Sequence, residues 1–148
     1  MMAIERILVP IDFSPPSLRA LDDAAEFSLP YKAGLIVMHA VERARFELPP
    51  VKEMETAAAK LAQIQRRLAQ RGIDCRTLVR SGVPYKTIID EAKKIKANLI
   101  VISTHGRTGL AEFLIGSVAE RVVRGSPCPV LVIKTVPLPQ TAPKRVRR

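Results

Sequence analysis

Four short, almost uninterrupted apolar runs, Ile7–Ile11, Leu35–Val41, Leu99–Ile102 and Val130–Ile133, dictate most of what this chain can become. Each is short for a core helix and too apolar for a strand with a wet face, so each predicts a strand of a parallel sheet covered on both sides. A fifth segment differs: Ile73, Cys75, Thr77 and Val79 alternate with Asp74, Arg76 and Leu78. That alternation predicts a strand with one wetter face, at a sheet edge.

The segments between the runs carry helical spacing. Leu18, Leu21, Ala24, Ala25 and Phe27 follow Pro15-Pro16. Met54, Ala57, Leu61, Ile64 and Leu68 lie within Val51–Gln70, which Gly72 closes, and Tyr85, Ile88, Ile89, Ala92 and Ile95 follow Pro84. Proline in a first turn and glycine past a last one are the residues that helix ends favour. A fourth helix is expected from Ser117. Ser117-Val118-Ala119-Glu120 has the S-x-x-E spacing of a capping box, with Val118, Val122 and Val123 as apolar positions and Gly125 as the stop. Five strands alternating with four helices predict an α/β domain, a doubly wound five-stranded parallel sheet with helices on both faces. A chain of 148 residues can bury roughly 70% of its unfolded surface in such a domain. Residues 1–136 are expected to form it. Residues 137–148, punctuated by Pro137, Pro139 and Pro143 and ending in a basic cluster, are expected to be a disordered tail.

A formal charge of +10 raises nucleic acid or an acidic membrane surface as partners. Its distribution argues against both. Lys144, Arg145, Arg147 and Arg148 crowd into the tail, and Phe13, Phe27, Tyr31, Phe46, Tyr85 and Phe113 do not interleave with basic residues as a stacking surface would. Solvated helix faces plus a basic tail account for the charge, which leaves nucleic acid as a less favoured partner. No apolar run approaches the ~18 residues of a membrane span, and the first residues lack the apolar stretch of a signal peptide, so no membrane and a cytoplasmic location are expected. Cys75 and Cys128 make no disulfide framework and are expected to be buried strand residues. Two histidines, His39 and His105, without H-x3-H spacing or a cysteine cluster, argue against a transition-metal site built by the protein.

The chemistry concentrates between Leu99 and Val118, where an apolar run gives way to a loop with Gly106 and Gly109, and then to Gly116, Ser117 and a helix start. A strand, a glycine loop and a helix N-terminus gather backbone N–H groups and the positive end of a helix dipole around one point, which suits phosphate. The alternative at this level is that the glycines only turn the chain and Ser117 only caps a helix.

The spacing Gly106, nine residues, Gly116-Ser117 resembles the ATP-binding signature of the universal stress protein family. The resemblance extends through Arg6-Ile7-Leu8-Val9-Pro10-Ile11-Asp12-Phe13-Ser14, Val37-Met38-His39, Gly82-Val83-Pro84, the T-H-G-R-T-G stretch from Thr104 to Gly109, and Pro127-Cys128-Pro129-Val130-Leu131-Val132. One position departs from the full G-x2-G-x9-G-S/T signature: Ser103 stands at its first glycine. The resemblance implies a strand order 3-2-1-4-5, with a ligand at the crevice between strands 1 and 4, where Asp12 and Ser103 meet. It also implies ATP or another adenine nucleotide as ligand. Pro10, Ile11, Ala40 and Val41 would stand at the nucleotide, Ile11, Ala40 and Val41 around the base. Asp12 would serve ribose hydroxyls or a phosphate-bound Mg²⁺. Ser103, His105, Gly106, Arg107, Gly109, Gly116, Ser117 and Val118 would surround the phosphates.

No G-x4-G-K-[ST] loop is present, so the lysine of efficient ATPases has no counterpart in the motif, and hydrolysis is expected to be slow at most. The resemblance implies a stress-response or signalling module, and a homodimer through the apolar strand Val130–Ile133 is expected. The alternatives are a nucleotide-independent dimeric interaction protein in which Ser103 marks a lost site, and a nucleic-acid binder using the basic surface and tail.

Overall fold

The computed structural model describes residues 3–105 and 115–134. Along the chain run β1 (Arg6–Pro10), α1 (Pro15–Ser28), β2 (Gly34–Glu42), α2 (Val51–Gln70), β3 (Cys75–Gly82), α3 (Pro84–Lys94), β4 (Leu99–Ser103), α4 (Ser117–Gly125) and β5 (Val130–Ile133). The five strands form one sheet in the order β3-β2-β1-β4-β5, every neighbouring pair parallel. Ile7 lies opposite Leu35 on one side and Leu99 on the other, in the middle of the sheet. The order is the expected one. The basic tail and the loop bearing Gly106, Arg107 and Gly109 lie outside the described residues.

The apolar runs become strands because alternate residues feed two separate cores. On one face Ile7, Val9, Leu35, Val37 and Val101 pack with Leu21, Ala24 and Ala25 of α1 and Leu61 and Leu68 of α2. On the other, Leu8, Ile36, Met38, Ile100 and Ile102 pack with Ile88 and Ala92 of α3 and Ala119 and Val122 of α4. Leu8 sits in the central strand with no exposed surface. Leu8→Ala is expected to cost about 2–5 kcal/mol, read as a shift of the denaturant midpoint at unchanged m-value.

Several boundaries move from the sequence expectation for local reasons. β1 stops at Pro10, although the Ile11 N–H still donates to the Met38 carbonyl (2.8 Å). Ile73 is not yet in β3, because its N–H closes the end of α2 on the Leu68 carbonyl while Gly72 turns the chain at φ +75°. Ser117 is the first residue of α4 and not its cap. Gly116 occupies the cap position and no side-chain cap bond forms, while Glu120 turns to Arg124 at 2.9 Å and completes no capping box. Of the valines assigned to this helix's apolar face, only Val122 is buried; Ala119 fills the second position, and Val123 is 47% exposed. Cys128 also departs from expectation. It is half-buried in the turn before β5, whereas Cys75 is buried at the start of β3. Burial, followed by the charge of Asp74, pushes the Cys75 thiol up to about 11, so it stays protonated and inert at neutral pH.

Candidate functional site

The sheet order reverses at β1 and β4, and the chain leaves these neighbours towards opposite faces, α1 covering one and α4 the other. Beyond their carboxyl ends lies a cleft of about 590 Å³, within the range of small-ligand sites. Pro10, Ile11, Asp12, Ala40, Val41, Ser103, His105, Gly116, Ser117 and Val118 all line it. Residues separated by more than a hundred positions in sequence thus meet on one surface.

The β1 side is built by a tight turn. Asp12 Oδ1 accepts the Ser14 N–H at 2.9 Å, and the Ser14 hydroxyl accepts the Ser17 N–H at the start of α1 (3.4 Å). Pro15 and Pro16 then enter the helix where no N–H is needed. Asp12 therefore shapes the turn and still lines the cleft. Between Asp12 and Ser14, Phe13 adopts φ +64°, a conformation that bulky side chains rarely take. It brings the Phe13 ring to 4.7 Å from the ring of His39, and His39 Nδ1 donates to the Ile11 carbonyl at 2.7 Å.

The β4 side is a closed network. Buried Ser103 donates its hydroxyl to the His105 carbonyl at 2.7 Å, and Thr104 Oγ1 lies 2.9 Å from His105 Nδ1. The Thr104 N–H donates to the Ile133 carbonyl, and the Thr104 carbonyl accepts the Gly116 N–H at 2.7 Å. The Gly116 N–H is thereby committed within the protein. This corrects the expectation that it faces a phosphate. The next three donors differ: the first helical bond is Glu120 N–H to the Gly116 carbonyl, so the N–H groups of Ser117, Val118 and Ala119 have no acceptor within α4.

A third wall was not foreseen. Lys52, Glu53, Thr56, Ala57 and Lys60 of α2 line the cleft, as do Phe13, His39 and Glu42. The spacing i, i+1, i+4, i+5, i+8 does mark one face of a helix, but four of its five residues are polar, and a polar face ordinarily reads as solvated. His39, at the end of an otherwise apolar strand, was the clearer signal. Among the described residues no three His, Cys, Asp or Glu side chains converge as a metal site.

The chain has relatives with this architecture. The model of the universal stress protein family matches residues 3–134. Universal stress protein MJ0531 of Methanocaldococcus jannaschii is 34% identical over 139 residues, covering 88% of this chain and 82% of that one. Among solved structures, universal stress protein UspA from Lactobacillus plantarum is similar with a TM-score of 0.77 and 28% identity, over 88% of this chain and 97% of that one. A universal stress protein in complex with cAMP is similar with a TM-score of 0.74 and 26% identity, over 90% and 99%. With the family match running from before β1 to past β5, and the strand order and switch-point cleft in place, the chain belongs to the universal stress protein family.

Proposed function

We propose that the cleft binds an adenine nucleotide, ATP foremost, and that the protein works as a nucleotide-responsive stress or signalling module. The observation that carries this reading is the meeting of three chemistries around one cavity. Ile11, Ala40 and Val41 offer strand-end surface suited to a base, Asp12 offers a carboxylate suited to ribose hydroxyls or Mg²⁺, and the N-terminus of α4 offers three N–H donors suited to phosphate. The similar stress protein in complex with cAMP supports the same ligand class. Ile11 and Val41 are buried to within a few per cent, so a base against them would be largely dry. Nothing in the motif supplies a P-loop lysine, and retention of nucleotide is favoured over turnover.

The direct test is to denature freshly purified protein, identify released nucleotide by mass spectrometry, and titrate the emptied protein with ATP by calorimetry. Adenine nucleotide in the first measurement or saturable heat in the second is the expected result. A clean preparation that takes up no ATP would overturn the reading in favour of a nucleotide-independent interaction protein.

Asp12→Asn gives a finer test, because the amide oxygen can still accept the Ser14 N–H and the turn survives. ATP affinity is expected to fall about tenfold, the loss of one charge-assisted contact. A loss confined to Mg²⁺-containing buffer assigns the carboxylate to the metal, and an equal loss without Mg²⁺ assigns it to the ribose. Unchanged affinity in both would reduce Asp12 to a turn former. We propose, further, that two copies pair through β5, for reasons that lie in the two edges of the sheet.

A further inference from the structure

We propose that Lys60, laid across the ring of Phe13, is the cation that makes this cleft prefer phosphorylated over unphosphorylated ligands; the proposal rests on the nucleotide reading above. A nucleoside triphosphate brings several negative charges, yet the described wall of the cleft carries the carboxylates of Asp12, Glu42 and Glu53 against the ammonium groups of Lys52 and Lys60. With three carboxylates against two ammonium groups, the described side chains do not as a set favour a polyanion. Beside the N–H groups of α4, the position of each lysine therefore matters.

Lys60 is better placed than Lys52. Lys52 lies in the first turn of α2 beside Glu53, where the helix dipole disfavours a cation. Lys60 stands two turns further in, on the same helix face, with its Nζ 5.0 Å from the centroid of the Phe13 ring. That ring is itself fixed. Phe13 holds φ +64°, packs 4.7 Å from His39, and His39 is tied to the Ile11 carbonyl, so β1, β2 and α2 meet at this one aromatic. A bulky residue kept in a rare backbone conformation beside a cleft marks a place where position matters more than local stability. Its effect here is to seat Lys60 at the turn that carries Asp12. Lys60 then takes the charge-neutralising part that a loop lysine takes in P-loop proteins, from a helix wall, and Phe13 is its positioning residue.

The test is a calorimetric series on the full chain with adenosine, AMP, ADP and ATP, comparing wild type with Lys60→Met, which keeps the stem and removes the charge, and with Lys60→Arg, which keeps the charge. Wild-type affinity is expected to rise along the series. Lys60→Met should lower ATP affinity about tenfold while changing adenosine affinity less than about twofold, and Lys60→Arg should restore most of the difference. Equal losses for ATP and adenosine would show that Lys60 only packs the wall, and unchanged ATP affinity would show that it does nothing; either overturns the proposal while the nucleotide reading stands. Wild-type protein that takes none of the four ligands would overturn the nucleotide reading itself, and this proposal with it.

Discussion

Gly116→Val is expected to abolish ATP binding and to lower stability by about 1–3 kcal/mol, the usual cost of forcing extra atoms into a packed site. A Cβ built at Gly116 would lie 3.0 Å from the Thr104 carbonyl oxygen, the same oxygen that accepts the Gly116 N–H. Backbone cannot swing aside as a side-chain tip can. Valine would therefore push the start of α4 away from the end of β4 and misdirect the Ser117, Val118 and Ala119 N–H groups together. Gly116→Ala carries the same first clash with less bulk and should lie between. Calorimetry with ATP, paired with denaturant unfolding, measures both effects. Wild-type affinity in the valine variant would mean that the α4 N-terminus does not touch the ligand, and a phosphate site there would have to be abandoned.

Gly116 also shows what a sequence can and cannot disclose. That a small residue was needed before the helix was legible from spacing, but the reason lay in Thr104, twelve positions earlier. The central sheet was legible because its cause is local: Ile7–Ile11 and Leu99–Ile102 are apolar at every position only because both faces are covered. Asp12 could be placed at the strand end for the same reason. The α2 wall could not, since Lys52, Thr56 and Lys60 have the composition of a solvated face and gain their meaning only from the cleft that they line together with Phe13. The expected cap at Ser117 failed for a non-local reason as well: Gly116, held by its N–H on the Thr104 carbonyl, takes the cap position and leaves Ser117 inside the helix.

The second large effect is expected at β5, where Val132→Pro should convert a dimer to a monomer without unfolding it. The two edges of the sheet are guarded differently. On β3 the Cys75 carbonyl accepts Gln65 Nε2 at 2.9 Å and the Val79 carbonyl accepts Arg80 Nη1 at 3.0 Å, while Arg80 is anchored on buried Glu91. Those side chains block another strand from adding there. On β5, the bonds from the Ile100 N–H to Pro129 and from the Thr104 N–H to Ile133 fix the register. In a parallel ladder that register spends Leu131 and Ile133 on β4 and turns the N–H and C=O of Val130 and Val132 outward. No side chain among the described residues covers them, and Leu131 is 37% exposed beside them. The same strand of a second copy, related by a two-fold axis, supplies matching donors, acceptors and apolar surface at once. Proline at position 132 deletes an outward donor and places a ring in the contact, yet removes no bond to β4, which is why an edge strand tolerates it. Light scattering at micromolar concentration should give twice the chain mass for the wild type and the single-chain mass for Val132→Pro, with circular dichroism unchanged. A wild-type monomer would remove the dimer altogether, and a Val132→Pro dimer would move the contact to another face, because each copy would have lost an outward donor and gained a ring in the middle of the β5 contact.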